Sequence, residues 1–150
     1  MVLPPHRAEL LLALVAAAQG GMRGEVPIGA VLVDPLGREV ARAANAVESE
    51  SDPSAHAEIG ALRQAARHQK NFRLDGTRMT VTVNPCPMCR GALELARVRC
   101  VTVLTDRTGD LGEEKVVINM AASTSPDSAV AASMLLGKFF EPLRGPKRLI

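Results

Sequence analysis

Two β-branched runs, RMTVTV at 78–83 and RCVTVL at 99–104, enclose NPCPMCRGAL, a segment that opens a helix. That order constrains the fold more than any other stretch of the chain. A strand, a helix and a strand in so short a span form a βαβ unit, whose strands are parallel and adjacent. IGAVLV (28–33) adds a buried strand, DPLG (34–37) a turn with proline at its second position, and REVARAA (38–44) a return strand. The expected architecture is α/β, a central mixed sheet with helices on its faces.

The first helix is expected from Pro5 to Gln19, stopped by the Gly20-Gly21 pair. HRAELLLALVAAAQG has the basic start and apolar run of a weak secretory signal. Glu9 and the two prolines fit a helix start instead, and the run is too short to span a bilayer. It is therefore read as a folded helix of a cytoplasmic protein with no membrane segment. NAVESESDPS reads as an acidic loop. A helix follows from Ala55 to Gln69, with Ala55, Ile59, Leu62 and Ala66 inward and Arg63, Arg67 and Lys70 on another face. The next starts at Pro87 and reaches Arg97. Beyond Thr105, TDRTGDLGEEK reads as a loop, VVINM as a short strand and DSAVAASMLLGKFF (127–140) as a last helix. The 150 residues make one domain, 1–150, able to bury ~70% of its unfolded surface without disulfide staples.

Tyr and Trp are absent and there are three Phe, which argues against a broad platform for stacking bases. The net charge of +2 says nothing about nucleic acid. Locally, Arg63, Arg67, Lys70, Arg73 and Arg78 cluster, as do Lys138, Arg144, Lys147 and Arg148; either group is a phosphate-facing patch or an ordinary solvated face. Three cysteines, two of them in one Cys-x-x-Cys, point away from an extracellular disulfide framework and toward metal or redox chemistry. Cys100 reads as a core thiol, and His6 and His68 are assigned no role.

Cys86 and Cys89 straddle a helix start directly after a strand, so their sulfurs project to one side. The free N–H groups and partial positive charge of that helix end favour thiolates, and Pro87 suits a first helical position. His56 opens the preceding helix. Helix starts that follow parallel strands lie at the same end of a sheet, so one imidazole and two thiolates can meet a single Zn²⁺. Three protein ligands leave the fourth tetrahedral position open, as in catalytic zinc sites. Glu58 lies within reach of a water there. Zinc brings the pKa of such a water to about 7, and a neighbouring carboxylate can take its proton and deliver it to a substrate nitrogen. Two other classes fit parts of the pattern. One is a thiol–disulfide oxidoreductase using Cys86 and Cys89, and the other a non-catalytic, zinc-stabilised RNA-binding module with no need of Glu58.

His-x-Glu followed by Pro-Cys-x-x-Cys is the signature of the zinc nucleobase deaminases, and the chain resembles that cytidine deaminase-like superfamily. Within it the chain is most similar to the bacterial tRNA adenosine deaminases, through EVPIGAVLV, Asn45, DPSAHAEIGALRQA, NFRL and TVTVNPCPMCRGAL, with FFEPLR near the end. The resemblance implies a three-layer α/β/α fold with a central mixed five-stranded sheet. It implies one zinc held by His56, Cys86 and Cys89, Glu58 as proton shuttle and Asn45 against the flipped base. It further implies a homodimer that converts adenosine to inosine in the tRNA anticodon loop, with zinc-bound hydroxide as nucleophile. A free nucleobase or nucleoside of guanine or cytosine type is the second substrate expectation. Three stretches depart from the family pattern: Asn84 stands where a glutamate is usual, LTDRTGD (104–110) replaces Gly-Ala-Arg-Asp, and 111–138 match poorly.

Overall fold

The computed structural model describes residues 5–105, 119–122 and 134. The elements run α1 (Pro5–Met22), β1 (Gly29–Val33), β2 (Glu39–Ala44), α2 (Val47–Glu50), α3 (Ala57–Gln69), β3 (Arg78–Val83), α4 (Pro87–Leu95), β4 (Cys100–Thr105) and β5 (Asn119–Ala122). The strands are ordered β2-β1-β3-β4-β5. β1 is antiparallel to both β2 and β3, while β3, β4 and β5 run parallel. The βαβ unit is β3-α4-β4. Of VVINM, Asn119 and Met120 lie in β5, and 116–118 lie outside the described residues. The helix expected over 127–140 lies outside the described residues, Met134 excepted.

Every residue of β1 is buried, because helices cover both faces and the strand needs no polar side. Ala30 and Leu32 join Met79, Val81, Val101 and Val103 in a core closed by Ala57, Ala61, Leu62 and Ala65 of α3 and Leu93 of α4. On the other face Val31 and Val33 meet Ala13 of α1. Helix α1 lies very close to the sheet at Gly29. A Cβ there would collide with the carbonyl oxygen of Ala13 and stand 2.5 Å from the Ala17 nitrogen.

Four expectations are corrected. Helix α1 does not stop at Gly20-Gly21 but continues to Met22. A Cβ at Gly20 would sit 3.0 Å from that of Ala44 and one at Gly21 3.3 Å from that of Pro27, so these glycines admit close neighbours. The turn belongs to Gly24, at φ +86°, a conformation open to glycine without steric cost. Helix α3 starts at Ala57 rather than Ala55; of the expected inner residues Ala55, Ile59 and Leu62 are buried and Ala66 half-buried, and Ala57, Ala61 and Ala65 join them. The expected acidic loop contains α2, one helical turn. Arg78, grouped by sequence with the exposed cations, instead bonds the buried carboxylate of Glu9 at 3.0 Å, and Thr80 donates its hydroxyl to the same group at 3.2 Å.

Candidate metal centre

Both neighbours of β1 run antiparallel to it, so β2 and β3 point the same way. The helices that follow them, α3 and α4, therefore begin at one end of the sheet. His56 is the N-cap of α3 and Cys86 the N-cap of α4, each with extended backbone, and Pro87 takes the first helical position behind Cys86. The ring nitrogen Nδ1 of His56 lies 3.5 Å from the sulfur of Cys86 and 3.5 Å from that of Cys89. The potential ligand atoms of the three residues all lie within 4.8 Å of one another. In a tetrahedron with Zn–N near 2.0–2.1 Å and Zn–S near 2.3 Å, nitrogen and sulfur stand about 3.6 Å apart. The donor set and its spacing fit zinc.

Electrostatics favour the same occupant. Cys89 is fully buried. Burial, then the negative charges of Glu58 and Cys86, push its thiol far above the ordinary range. A dication on the three donors reverses that balance, since a coordinating thiol gives up its proton. Glu58 is 4% exposed, in the first turn of α3, where the helix end favours a negative charge. Its carboxylate hydrogen-bonds with the Cys89 side chain.

His56, Glu58 and Cys86 open onto a cavity of about 270 Å³, shared with Asn45, Val83 and Asn84. Asn45 is 5% exposed and lies just past β2. The side-chain oxygen Oδ1 of Asn84 is buried, with no hydrogen-bond partner among the described residues.

The chain matches the model of the cytidine and deoxycytidylate deaminase zinc-binding region over residues 5–105. It belongs to that family. The tRNA-specific adenosine deaminase of Haemophilus influenzae is 36% identical over 145 residues, 91% of this chain and 84% of that protein. A solved structure from work on A-to-I editing by tRNA:A34 deaminases at the wobble position is 41% identical. It superimposes with a TM-score of 0.66 over 69% of this chain and 78% of the other. The guanine deaminase of Bacillus subtilis, 25% identical, gives 0.66 over 97% of this chain and 98% of that one. The fold is the α/β fold of the cytidine deaminases, and the family's zinc-binding region contains this His-Cys-Cys triad.

The structure brings together all five residues singled out in the sequence, His56, Glu58, Cys86, Cys89 and Asn45. Cys100, expected in the core, is half-buried at the start of β4. Sequence reasoning passed over Glu25, which is wholly buried and hydrogen-bonded to Asn45. Its signal was an acid set in apolar EVPIGAVLV. It also passed over a second, larger cleft of about 400 Å³ that shares His56 and is lined by Arg23, Arg42, Arg63 and Arg67, with Glu50 as its acid. Arg73, expected beside Arg63, is exposed elsewhere, with its guanidinium 5.5 Å from the centre of the Phe72 ring. Residues 106–110 of the divergent LTDRTGD lie outside the described set.

Proposed function

We propose that the chain is a hydrolytic deaminase converting adenosine to inosine at the wobble position of a tRNA anticodon loop. His56, Cys86 and Cys89 hold one zinc ion per chain. Bound zinc supplies Lewis acidity that makes a water nucleophilic near neutral pH. Glu58, in the same cavity, would take a proton from the attacking water and deliver it to a ring nitrogen as the water oxygen bonds to the amino-bearing carbon. The second water proton would pass to the amino group, which leaves as ammonia as the carbonyl forms. Asn45 orients the base. The observation that carries the chemistry is a buried carboxylate opening onto the same cavity as a three-ligand cluster. A closed structural site has no use for it, which weighs against the non-catalytic RNA-binding module. A redox role for Cys86 and Cys89 is disfavoured by the imidazole lying equally near both sulfurs.

Two observations support RNA over a free base. The relative from Haemophilus influenzae, similar over nearly the whole chain, is a tRNA-specific enzyme. The arginine-lined cleft also adjoins the site, and neutralising phosphates is the main source of affinity for nucleic acid. The cavity is at the small end of ligand pockets, a size suited to one flipped base with its sugar and phosphates outside. The likeness to guanine deaminase keeps a free purine as the second reading. The same proposal covers a three-layer α/β/α domain spanning 1–150, with 127–140 as a helix, and a homodimer working in the cytoplasm. Among the described residues no helix is long and apolar enough to cross a membrane.

The deciding assay measures inosine in a tRNA anticodon stem-loop beside ammonia release from guanine, cytosine and their nucleosides. Inosine formation without turnover of the free bases is expected. Turnover of a free base with an unchanged stem-loop overturns the substrate.

A further inference from the structure

Glu25 follows directly on the Gly24 turn, and its own N–H bonds back to the Gly20 carbonyl at 3.1 Å. Its side chain is 0% exposed yet has no cationic partner among the described residues. Hydrogen-bond donors surround it instead. Asn45 gives Nδ2–H to Oε2 at 3.2 Å, the Glu48 N–H reaches Oε2 at 3.2 Å, and the Ser49 N–H reaches Oε1 at 2.7 Å. Burial raises its pKa, but hydrogen bonds from Ser49, Glu48 and Asn45 outweigh that and hold it below the usual carboxylate value. It is therefore ionised at neutral pH and can only accept.

That restriction decides how Asn45 is presented. An asparagine amide can turn end for end with little change of shape. A neighbour that only accepts admits one orientation, with NH₂ toward Glu25 and Oδ1 directed away. The Asn45 backbone is held as well, its N–H donating to the Ile28 carbonyl at 3.0 Å. We infer that Glu25 is a positioning residue for substrate recognition, fixing which end of the Asn45 amide meets the base. The inference rests on the reading of Asn45 as the group that touches the base. Glu25 itself touches no substrate. It also holds the start of α2 through Glu48 and Ser49, and that second task has to be separated from the first.

A double-mutant cycle separates them. Glu25→Gln keeps size and shape but offers a donor as readily as an acceptor, so the Asn45 amide loses its fixed sense. On the stem-loop, Glu25→Gln is expected to lower kcat/KM about tenfold, the loss that one misplaced hydrogen bond brings. In an Asn45→Ala background the same change is expected to cost less than about twofold, since coupled residues are not additive. Zinc content stays the same in all four proteins. Glu25→Asp, which keeps the charge, should retain more activity than Glu25→Gln, and it carries the same cycle should Glu25→Gln not fold.

Equal losses in both backgrounds overturn the inference and assign Glu25 to the α2 loop alone. So does a lowered Tm with unchanged kcat/KM. A loss in Asn45→Ala with none in Glu25→Gln removes the inference and leaves the base contact standing. Wild-type kcat/KM in Asn45→Ala removes the contact and the inference together.

Discussion

Nδ1 of His56 and the sulfur of Cys89 lie 3.5 Å apart, although 33 residues separate them along the chain. Each sits at the start of its own helix, and the two helices start side by side because β2 and β3 point the same way. The distance follows from strand direction, and with Cys86 it makes a site whose chemistry can be tested one residue at a time.

Removing a ligand should remove the metal. Cys86→Ala and His56→Ala proteins are expected to purify with well under one zinc per chain by elemental analysis and without ammonia release. A zinc chelator should silence the native protein, with recovery on adding Zn²⁺ back. Cys89→Ala should also lower Tm, by the roughly 1–3 °C or more that a truncated buried residue brings in a domain this size.

Glu58 separates metal binding from turnover. Glu58→Gln keeps the shape of the side chain and removes its basicity. Full zinc content is expected, with kcat reduced by about 10²–10⁴, the usual contribution of a positioned proton-transfer group. An unchanged kcat would take the proton transfer away from Glu58, whereas zinc-loaded wild type without ammonia release would return the molecule to the class of zinc-stabilised binding modules.

The arginine cleft predicts a salt signature. Replacing Arg63 and Arg67 together by Ala should raise KM for the stem-loop with little change in kcat, and flatten the dependence of log KM on log salt by about one to two phosphate contacts. The partner of Arg63, Asp52, is 3.9 Å away and half-exposed, so losing that ion pair should barely move Tm. A KM and salt slope equal to the wild type would place the RNA backbone elsewhere.

Acid should weaken the fold through Glu25. Its folded pKa lies below the ordinary value of 4.5. The stability this adds is complete above the unfolded pKa and lost as pH falls through the lower, folded one. Asp52, held down first by the Ser54 hydroxyl and then by the Ser54 N–H, shifts in the same direction. Thermal melts should therefore be flat from neutrality down to about pH 5 and fall in more acid buffer. Glu25→Gln should start lower at neutrality and fall less, since it has no proton to take up at this site.

Much of this was legible in the chain itself. The β-branched runs at 78–83 and 99–104 marked β3 and β4, because branched side chains suit a pleated surface buried on both sides. Pro87 marked the start of α4. His56, Cys86 and Cys89 pointed to a zinc site by type and spacing, since zinc takes soft donors, and Glu58 to the proposed base beside it. Gly20 and Gly21 misled, because a helix terminator and a close-packing site use the same residue for different reasons. Arg78 misled for a similar cause, its charge saying nothing of a buried acid 69 positions away.

What the sequence determined alone was local and chemical: where strands and helices begin, and which side chains can hold a metal or move a proton. Which of them meet was decided by the tertiary structure. Strand direction brought His56 to Cys86 and Cys89, the Gly24 turn carried Glu25 under Asn45, and the packing of α1 and α3 around β2 gathered four arginines into one cleft. Propensity and motif act within a few residues. These pairings depend on distances across the fold, which no local pattern encodes.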